Sequence, residues 1–169
     1  IIKKLRPAGG GKVAIIEGDR ESTQSIERAK GASDTFRSEP GIHLIESISA
    51  GFNRQEAARV SRQILDRHPD LAAVFCANDH MALGVVQRVQ EPDIDKRLII
   101  VGVDLIEEAK QAVQKGLMAA SVSFSVLDVA KEMLKAAVRR IDGNTAVPKD
   151  YMVDSRLMDR DALFSSSFS

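Results

Sequence analysis

"VFCANDHMALG", residues 74–84, places an apolar run directly before two polar residues, Asn78 and Asp79. The apolar run is typical of a buried strand. The helix that should follow is indicated by apolar residues three and four positions apart: Met81, Val85, Val86 and Val89. Asn and Asp side chains both accept hydrogen bonds from the free N–H groups that start a helix, and one of them suffices for that purpose. The second polar residue therefore predicts a further role at the end of this strand.

Outward from this stretch, short β-rich runs alternate with longer segments of helical spacing. The predicted strands cover residues 12–16, 42–49, 72–76, 98–103 and 118–122. Asn53, with Glu56 three residues later, predicts the start of the helix after the second strand. Strands that are mostly apolar on both faces and joined by helix-length connections indicate a parallel sheet covered on both sides. The predicted fold class is α/β, a doubly wound parallel sheet.

Composition narrows the possible functions. The 169 residues are 44% apolar and 28% charged, which is ordinary for one globular domain. Lys plus Arg and Asp plus Glu both total 24, so no net field favours nucleic acid or an anionic membrane, and no nucleic-acid partner is predicted for this segment. The single Cys76 excludes an internal disulfide, and its apolar surroundings favour a small buried residue over a reactive thiol. No stretch approaches the roughly 18 apolar residues of a membrane span.

The loops after the strands are where a sheet of this kind binds ligands. They read "EGDRESTQSIERAKG", "AGFNR", "ANDH", "GVDLIEEA" and "SFSV". A "GGG" at 9–11 precedes the first strand and is not followed by the Lys-Ser/Thr of a P-loop, so nucleotide binding is not predicted. The three His residues have no metal-ligand spacing, and no nucleophile has an adjacent base. We therefore predict no metal, no other cofactor and no enzymatic activity.

Three of these stretches carry a resemblance to a known family. "VFCANDHMALGVVQRV", "IIVGVD" and "EEAKQAVQKGLMAASVSFS" resemble the carboxyl-terminal half of the type I periplasmic sugar-binding proteins, the ribose-binding protein group. "ERAKG" and "AGFNR" fit the same pattern, so the resemblance covers residues 1–160. It implies a flavodoxin-like lobe of the type I periplasmic binding protein fold, with a small sugar or polyol bound between two lobes for ABC-type uptake or chemosensing.

Two alternatives remain open beside this interpretation. The same fold forms the effector-binding core of lactose-repressor-type transcription regulators, although "AVQKGLMAASV" resembles the transport proteins more closely. A stand-alone flavodoxin-like enzyme or receiver is a weaker alternative, because no strand end carries the acidic cluster that would hold Mg²⁺.

The resemblance also implies a set of ligand residues. It assigns Asn78 to the ligand and Asp79 to the helix cap. Sugar hydroxyls both donate and accept hydrogen bonds, and an amide, a carboxylate and a guanidinium suit them: Asn78, Asp104 and Arg28. Phe52 matches an aromatic ring that stacks on the apolar face of the sugar. Taken singly, Arg28, Asp104 and Phe52 have ordinary explanations as a surface helix residue, a helix cap and a core ring.

One position departs from the pattern of the ribose binders. Where they place a Gln in the fifth loop, this sequence has Phe124, which cannot hydrogen-bond a hydroxyl. The ligand is therefore expected to be less polar on that side, or Ser123 takes the role, and ribose itself is in doubt. His80 is interpreted as a residue of the helix start rather than a base.

Domain organisation follows from the same resemblance. We expect residues 1–160 to form the carboxyl-terminal ligand-binding lobe and 161–169 a tail. Residues 126–150 are expected to belong to an amino-terminal lobe of the full-length parent that this chain does not contain. The parent is expected to be periplasmic, or lipid-anchored and extracytoplasmic, and to work with an ABC permease or a chemoreceptor. No signal peptide is predicted within these residues.

The segment 126–141 has an apolar stripe at helical spacing. The stripe consists of Val126, Val129, Ala130, Met133, Leu134, Ala137, Val138 and Ile141. A stripe of this size is expected to be buried. We hypothesise that the helix either pairs with a second copy as a homodimer or folds back onto its own sheet.

Overall fold

The computed structural model describes residues 1–91, 98–143, 148, 151 and 153–166. Of Ser166, only the backbone is described. The strands are β1 (Gly11–Glu17), β2 (Ile42–Ser49), β3 (Leu71–Cys76), β4 (Ile99–Val103), β5 (Ala120–Phe124) and β6 (Ser155–Asp159). The helices are α1 (Ile2–Leu5), α2 (Thr23–Ser38), α3 (Arg54–Arg67), α4 (Asp79–Val89), α5 (Glu107–Gln114), α6 (Val126–Ile141) and α7 (Arg160–Ser166). A short 3₁₀ turn, Arg6–Ala8, follows α1.

The strands form one sheet in the order β2-β1-β3-β4-β5-β6. The first five are parallel, which confirms the predicted α/β class and all five predicted strands to within two residues at each end. β6 was not predicted; it pairs antiparallel with β5, from Ala120 opposite Asp159 to Phe124 opposite Ser155. The sequence of β6, "SRLMD", alternates too weakly to indicate a strand, because β6 lies at the edge of the sheet and is largely exposed.

The core lies on both faces of the sheet. In β1, Ala14 and Ile16 join the cluster beneath α3, α4 and α5, while Val13 and Ile15 join the cluster beneath α1 and α2. This is why β1, β3 and β4 are apolar on both faces rather than alternating, whereas the edge strand β2 carries several polar residues. Cys76 is buried, as predicted, and burial raises the pKa of its thiol. None of the described helices is long and apolar enough to cross a membrane.

Helix α6 lies outside this core. None of its sixteen residues, all of which the structure describes, is buried. The fold-back onto the sheet is therefore wrong for this structure. A single residue, Ser125, separates β5 from α6 and caps the helix by accepting a hydrogen bond from the Asp128 N–H at 3.1 Å. That connection leaves no loop in which the chain could turn back.

The expectation of a tail at 161–169 is also wrong for most of that segment. Arg160–Ser166 forms α7, and Leu163 is buried in the core cluster beneath α3, α4 and α5. The Asp159 carboxylate accepts a hydrogen bond from the Ala162 N–H at 3.0 Å and so caps the start of this helix. Residues 167–169 lie outside the described part of the chain, as do most of residues 144–150.

Candidate ligand-binding site

The order of the strands creates the candidate site. The chain moves outward from β1 to β2 and then crosses back to β3, so the connections leave the sheet in opposite directions at the carboxyl ends of β1 and β3. Crevices form at this point in open α/β sheets. The predicted residues Arg28, Asn78 and Asp104 lie around it, on α2, after β3 and after β4 respectively.

Arg28 and Asp104 form an ion pair at this edge. Arg28 Nη2 lies 3.0 Å from Asp104 Oδ1, and Nη1 donates to the Ala77 carbonyl oxygen at 2.7 Å. The two side chains retain 19% and 29% of their surface, so the pair is partly buried yet reachable. Burial raises the pKa of Asp104, and the charges of Arg28 and His80 oppose the shift. The structure thus joins a guanidinium and a carboxylate from opposite sides of the sheet edge.

Asn78 and Asp79 divide their roles differently from the expectation. Asn78 caps α4, because its Oδ1 accepts the Met81 N–H at 2.9 Å. Among the described residues its side-chain NH₂ has no hydrogen-bond partner, so this group remains able to donate to a ligand. The assignment of Asp79 as the cap is wrong. Asp79 is fully buried and accepts hydrogen bonds from the Ile106 N–H at 2.9 Å and the Ser121 hydroxyl at 2.7 Å.

Burial dominates the electrostatics of Asp79. It raises the pKa of the carboxyl to about 6, against the opposing effect of the hydrogen bonds from Ser121 and from the backbone. The negative charge of Asp104 adds to the rise. Two of the contributing residues, Ser121 and Ile106, were not predicted; the signal for the first was a polar residue at a buried position of β5.

Phe52 lies in the turn after β2, half-buried against the core. Its φ of 59° is left-handed, a conformation that residues with a side chain rarely adopt. The ring covers Gly18 at the end of β1, where a Cβ atom would come within 2.2 Å of the ring. Phe52 is therefore fixed at the carboxyl ends of β1 and β2, on the same edge of the sheet as the ion pair.

Phe124 and Ser123 lie at the end of β5. The Arg28 guanidinium lies 6.0 Å from the centre of the Phe124 ring, at the limit of a cation–π contact. Phe124 and Arg28 also line a cavity of about 850 Å³ between α2 and the sheet. The walls of this cavity are mainly apolar. Ser123 instead lines a polar cavity of about 400 Å³ with Asp128 and Arg156, which Phe124 also borders. The structure therefore brings Phe124, but not Ser123, against Arg28.

The arrangement suits a neutral ligand rich in hydroxyl groups. It combines a donor fork, a carboxylate acceptor and a free amide donor at one edge, with aromatic rings after β2 and at the end of β5. Among the described residues no group of three His, Cys, Asp or Glu side chains is placed to hold a metal ion. Buried polar groups of this kind are costly unless they are paired, so a bound ligand must offer hydrogen bonds to them.

Comparison with known proteins gives a consistent result. A family model described as a periplasmic binding protein domain matches residues 1–145. The D-allose-binding periplasmic protein of Escherichia coli (strain K12) is 36% identical over 159 residues, which are 94% of this chain and 51% of that protein. The ribose import binding protein RbsB of Salmonella typhimurium is 28% identical over 149 residues, 88% of this chain and 49% of that protein. The chain thus spans about half the length of these curated relatives.

Solved structures share the fold over almost the whole chain. A solute binding protein of an ABC transporter from Actinobacillus succinogenes, with bound D-allose, superposes with a TM-score of 0.85 at 26% identity. It is matched over 97% of this chain and 56% of its own. The myo-inositol binding protein of Caulobacter, bound to myo-inositol, gives a TM-score of 0.84 at 27% identity and the same two coverages. These similarities confirm the predicted fold class and the family resemblance.

Proposed function

Because this chain belongs to the periplasmic binding protein family, we propose that it forms one lobe of a two-lobed protein that binds a small sugar or polyol. The observation that carries the proposal is the meeting of Arg28, Asp104 and Asn78 at one edge of the sheet. The three groups come from α2, the β4–α5 connection and the start of α4. No single element supplies them, so the fold itself assembles the site.

Each group has hydrogen-bonding capacity left for a ligand. Arg28 uses one N–H on each terminal nitrogen for Ala77 and Asp104, and a guanidinium has five N–H groups. Asp104 accepts from Arg28 through Oδ1, which leaves Oδ2 as an acceptor for a hydroxyl. Asn78 keeps its NH₂ group. One sugar hydroxyl could thus donate to Asp104 while neighbouring oxygens accept from Arg28 and Asn78.

The aromatic residues suit the apolar parts of the same ligand. The C–H faces of a sugar ring are apolar, and Phe52 supplies a rigid ring at the β2 end of the edge. Phe124 replaces a hydrogen-bonding side chain at the β5 end, with Ser123 turned towards a different cavity. We therefore propose a ligand with fewer hydroxyl contacts on the β5 side than ribose would make.

The relatives support a small sugar or polyol as the ligand and a role in uptake. Their names specify D-allose and ribose, and the bound molecules in the two solved structures are D-allose and myo-inositol. All are small polyhydroxylated molecules. We propose uptake through an ABC permease, or chemosensing, for the parent protein, in the periplasm or anchored outside the cytoplasmic membrane. The names of these relatives favour binding proteins for uptake over the regulator alternative and over an enzyme.

Helix α6 supports the two-lobed arrangement. Its apolar side chains include Leu127, Leu134 and Ile141, which are 64%, 67% and 83% exposed. We propose that residues 126–150 pack on the second lobe in the parent, as the resemblance implies. This would bury the stripe and would also close the cleft over Arg28 and Asp104.

Calorimetry on the two-lobed protein with D-allose, D-ribose and myo-inositol tests the proposed site. Arg28→Ala, Asn78→Ala and Asp104→Ala should each weaken binding by about 1.5–3 kcal/mol, since each leaves polar groups of a closed cleft unpaired. His80→Ala is the matched control, because His80 is exposed one residue beyond Asp79. A loss from His80→Ala as large as that from Asp104→Ala would contradict the assignment, as would full binding by the three variants.

A further inference from the structure

The connection that carries Asp104 has an unusual backbone. Asp104 and Leu105 have φ angles of 109° and 53°, both in the left-handed region that favours glycine. Two consecutive residues with side chains seldom adopt it, and such a conformation persists only where the surroundings hold it. The direction in which Asp104 leaves the sheet, and so its meeting with Arg28, depends on this turn.

Three hydrogen bonds hold the turn. The Asp104 N–H donates to the Val122 carbonyl oxygen at 2.8 Å. The Leu105 N–H donates to Ser121 Oγ at 3.1 Å, and the Ile106 N–H donates to Asp79 Oδ2 at 2.9 Å. The Ser121 hydroxyl in turn donates to Asp79 Oδ1 at 2.7 Å. Two of the three backbone groups are therefore held by Asp79, directly or through Ser121.

From this network we infer that Asp79 is the positioning residue of the site, whose buried carboxylate holds the turn at residues 104–106 so that Asp104 meets Arg28. The inference rests on the proposed function where it treats Asp104 as a ligand residue. Asp79 itself is fully buried and so does not contact a ligand.

Gly102 of β4 supports this role. A Cβ atom on Gly102 would lie 2.2 Å from Asp79 Oδ1 and 3.1 Å from the Ala82 Cβ. Strand β4 therefore has no side chain where the Asp79 carboxylate passes it to reach Ser121 on β5. The space lets this carboxylate accept hydrogen bonds from both Ser121 and the Ile106 N–H.

The chemistry of Asp79 distinguishes the informative variants. An ionised carboxylate accepts at both oxygens, whereas an asparagine amide accepts at one position and donates at the other. Asp79→Asn can still accept from Ile106, and it can donate to the Ser121 hydroxyl oxygen, which has a second lone pair for Leu105. Asp79→Ala loses both contacts and leaves the Ser121 hydroxyl hydrogen and the Ile106 N–H without acceptors.

Amide hydrogen exchange followed by NMR on this 169-residue chain tests the inference without any ligand. In Asp79→Ala, the Leu105 and Ile106 amides should exchange faster by about tenfold or more, beyond any change at Ile15 and Ile16 of β1. Asp79→Asn should restore most of the protection at Ile106. The pKa of Asp104, which burial raises in the native chain, should fall towards its ordinary value in Asp79→Ala.

Two further variants keep the test decisive. Val13→Ala removes core volume from the cluster beneath α2, so it controls for general loss of stability. Ser121→Ala serves if Asp79→Ala does not fold, and it should speed exchange at Leu105 more than at Ile106. The inference is overturned if the two amides follow the rest of the chain in Asp79→Ala, or in Ser121→Ala, as they do in Val13→Ala.

A sugar titration separates this inference from the proposed function. A loosened turn in Asp79→Ala, together with no sugar binding by the unmodified protein, would uphold the positioning role and contradict the proposed function. Sugar binding by the unmodified protein with an unchanged turn in Asp79→Ala would do the reverse.

Discussion

Helices α4 and α6 begin in the same way, but α4 is buried and α6 is exposed. Each starts within three residues of the end of a parallel strand and is capped by a polar side chain, Asn78 for α4 and Ser125 for α6. Eight of the eleven residues of α4 are buried, against none of the sixteen of α6. The difference teaches that an amphipathic pattern predicts that a helix has a face to bury but does not say what buries it.

The packing of α4 shows what the buried case requires. A Cβ atom on Gly84 would come within 2.2 Å of the Arg54 carbonyl oxygen, so α3 and α4 touch at backbone level. Val85 and Met81 have no exposed surface. On α6, by contrast, six large apolar side chains are exposed among the nine of that kind in the described part of the chain. Helix α4 therefore belongs to the core of the lobe, whereas the described residues supply no core for α6.

A valine-to-aspartate substitution should give the largest difference between the two helices in the free energy of unfolding. Val85→Asp places an unpaired carboxylate in the core and should lower the free energy of unfolding by about 4 kcal/mol or more. Val138→Asp, on α6, replaces a side chain that is 54% exposed and should change the free energy of unfolding of the monomer by no more than about 0.5 kcal/mol. Urea unfolding followed by circular dichroism, at a dilution where the chain is monomeric, measures both. Similar losses would mean that α6 is packed within the monomer.

Asp79, the first residue of α4, should make stability depend on pH. Its pKa is about 6 in the folded chain, above the ordinary 3.8, so the folded state binds more protons between these values. Stability should therefore fall as pH rises from 4 to 7, by up to about 3 kcal/mol from this group. Carboxyls with lowered pKa values, such as Glu46 and Asp128, act in the opposite direction at lower pH.

The effect of Asp79 is obtained as a difference from Asp79→Asn, which cannot ionise. The unfolding free energies of the two proteins should converge or cross in the acid range and separate in favour of the variant near pH 8. Parallel pH profiles from pH 4 to 8 would contradict the raised pKa.

Self-association should follow from the exposed stripe of α6. Burying a large apolar side chain is worth roughly 1.5–3 kcal/mol, so the isolated chain should dimerise at micromolar concentration. An antiparallel pair of α6 helices is symmetric, so each copy would bury the same stripe against the other.

Sedimentation of the chain tests whether it dimerises through α6. Leu134→Glu should shift it to monomer, whereas Ile26→Glu, at an exposed apolar position on α2, should leave the dimer intact. A monomer of unchanged mass and stability in both the unmodified chain and Leu134→Glu would rule out pairing through this helix.

Removal of a helix cap should give the smallest change in stability. Asn53→Ala removes the side chain that accepts the Glu56 N–H at 2.9 Å, and it should cost about 1 kcal/mol because α3 is part of the core. Ser125→Ala removes the corresponding bond of α6 and should cost less global stability, with a loss of helical signal instead. Equal global losses would indicate that α6 unfolds together with the sheet.

Pattern alone predicted the parts of the fold whose sequence has one dominant environment. The central strands β1, β3 and β4 are apolar on both faces, so their positions could be read directly, and the capping pair at Asn53 marked the start of α3. β6 was not predicted because an exposed edge strand lacks this apolar pattern. The roles of Asn78 and Asp79 could not be separated, since both side chains can cap a helix and only the positions of Ser121 and Ile106 decide between them.

Titration of D-allose into the isotope-labelled chain, followed by NMR, tests most directly whether this sheet edge is half of a sugar site. With one lobe, we expect binding on the order of millimolar or weaker. The amide signals of Asn78, Asp104 and Phe124 should shift, and they should not shift in Asp104→Ala. Micromolar binding by the lone chain, or sugar-dependent shifts that avoid these residues and persist in Asp104→Ala, would contradict the account.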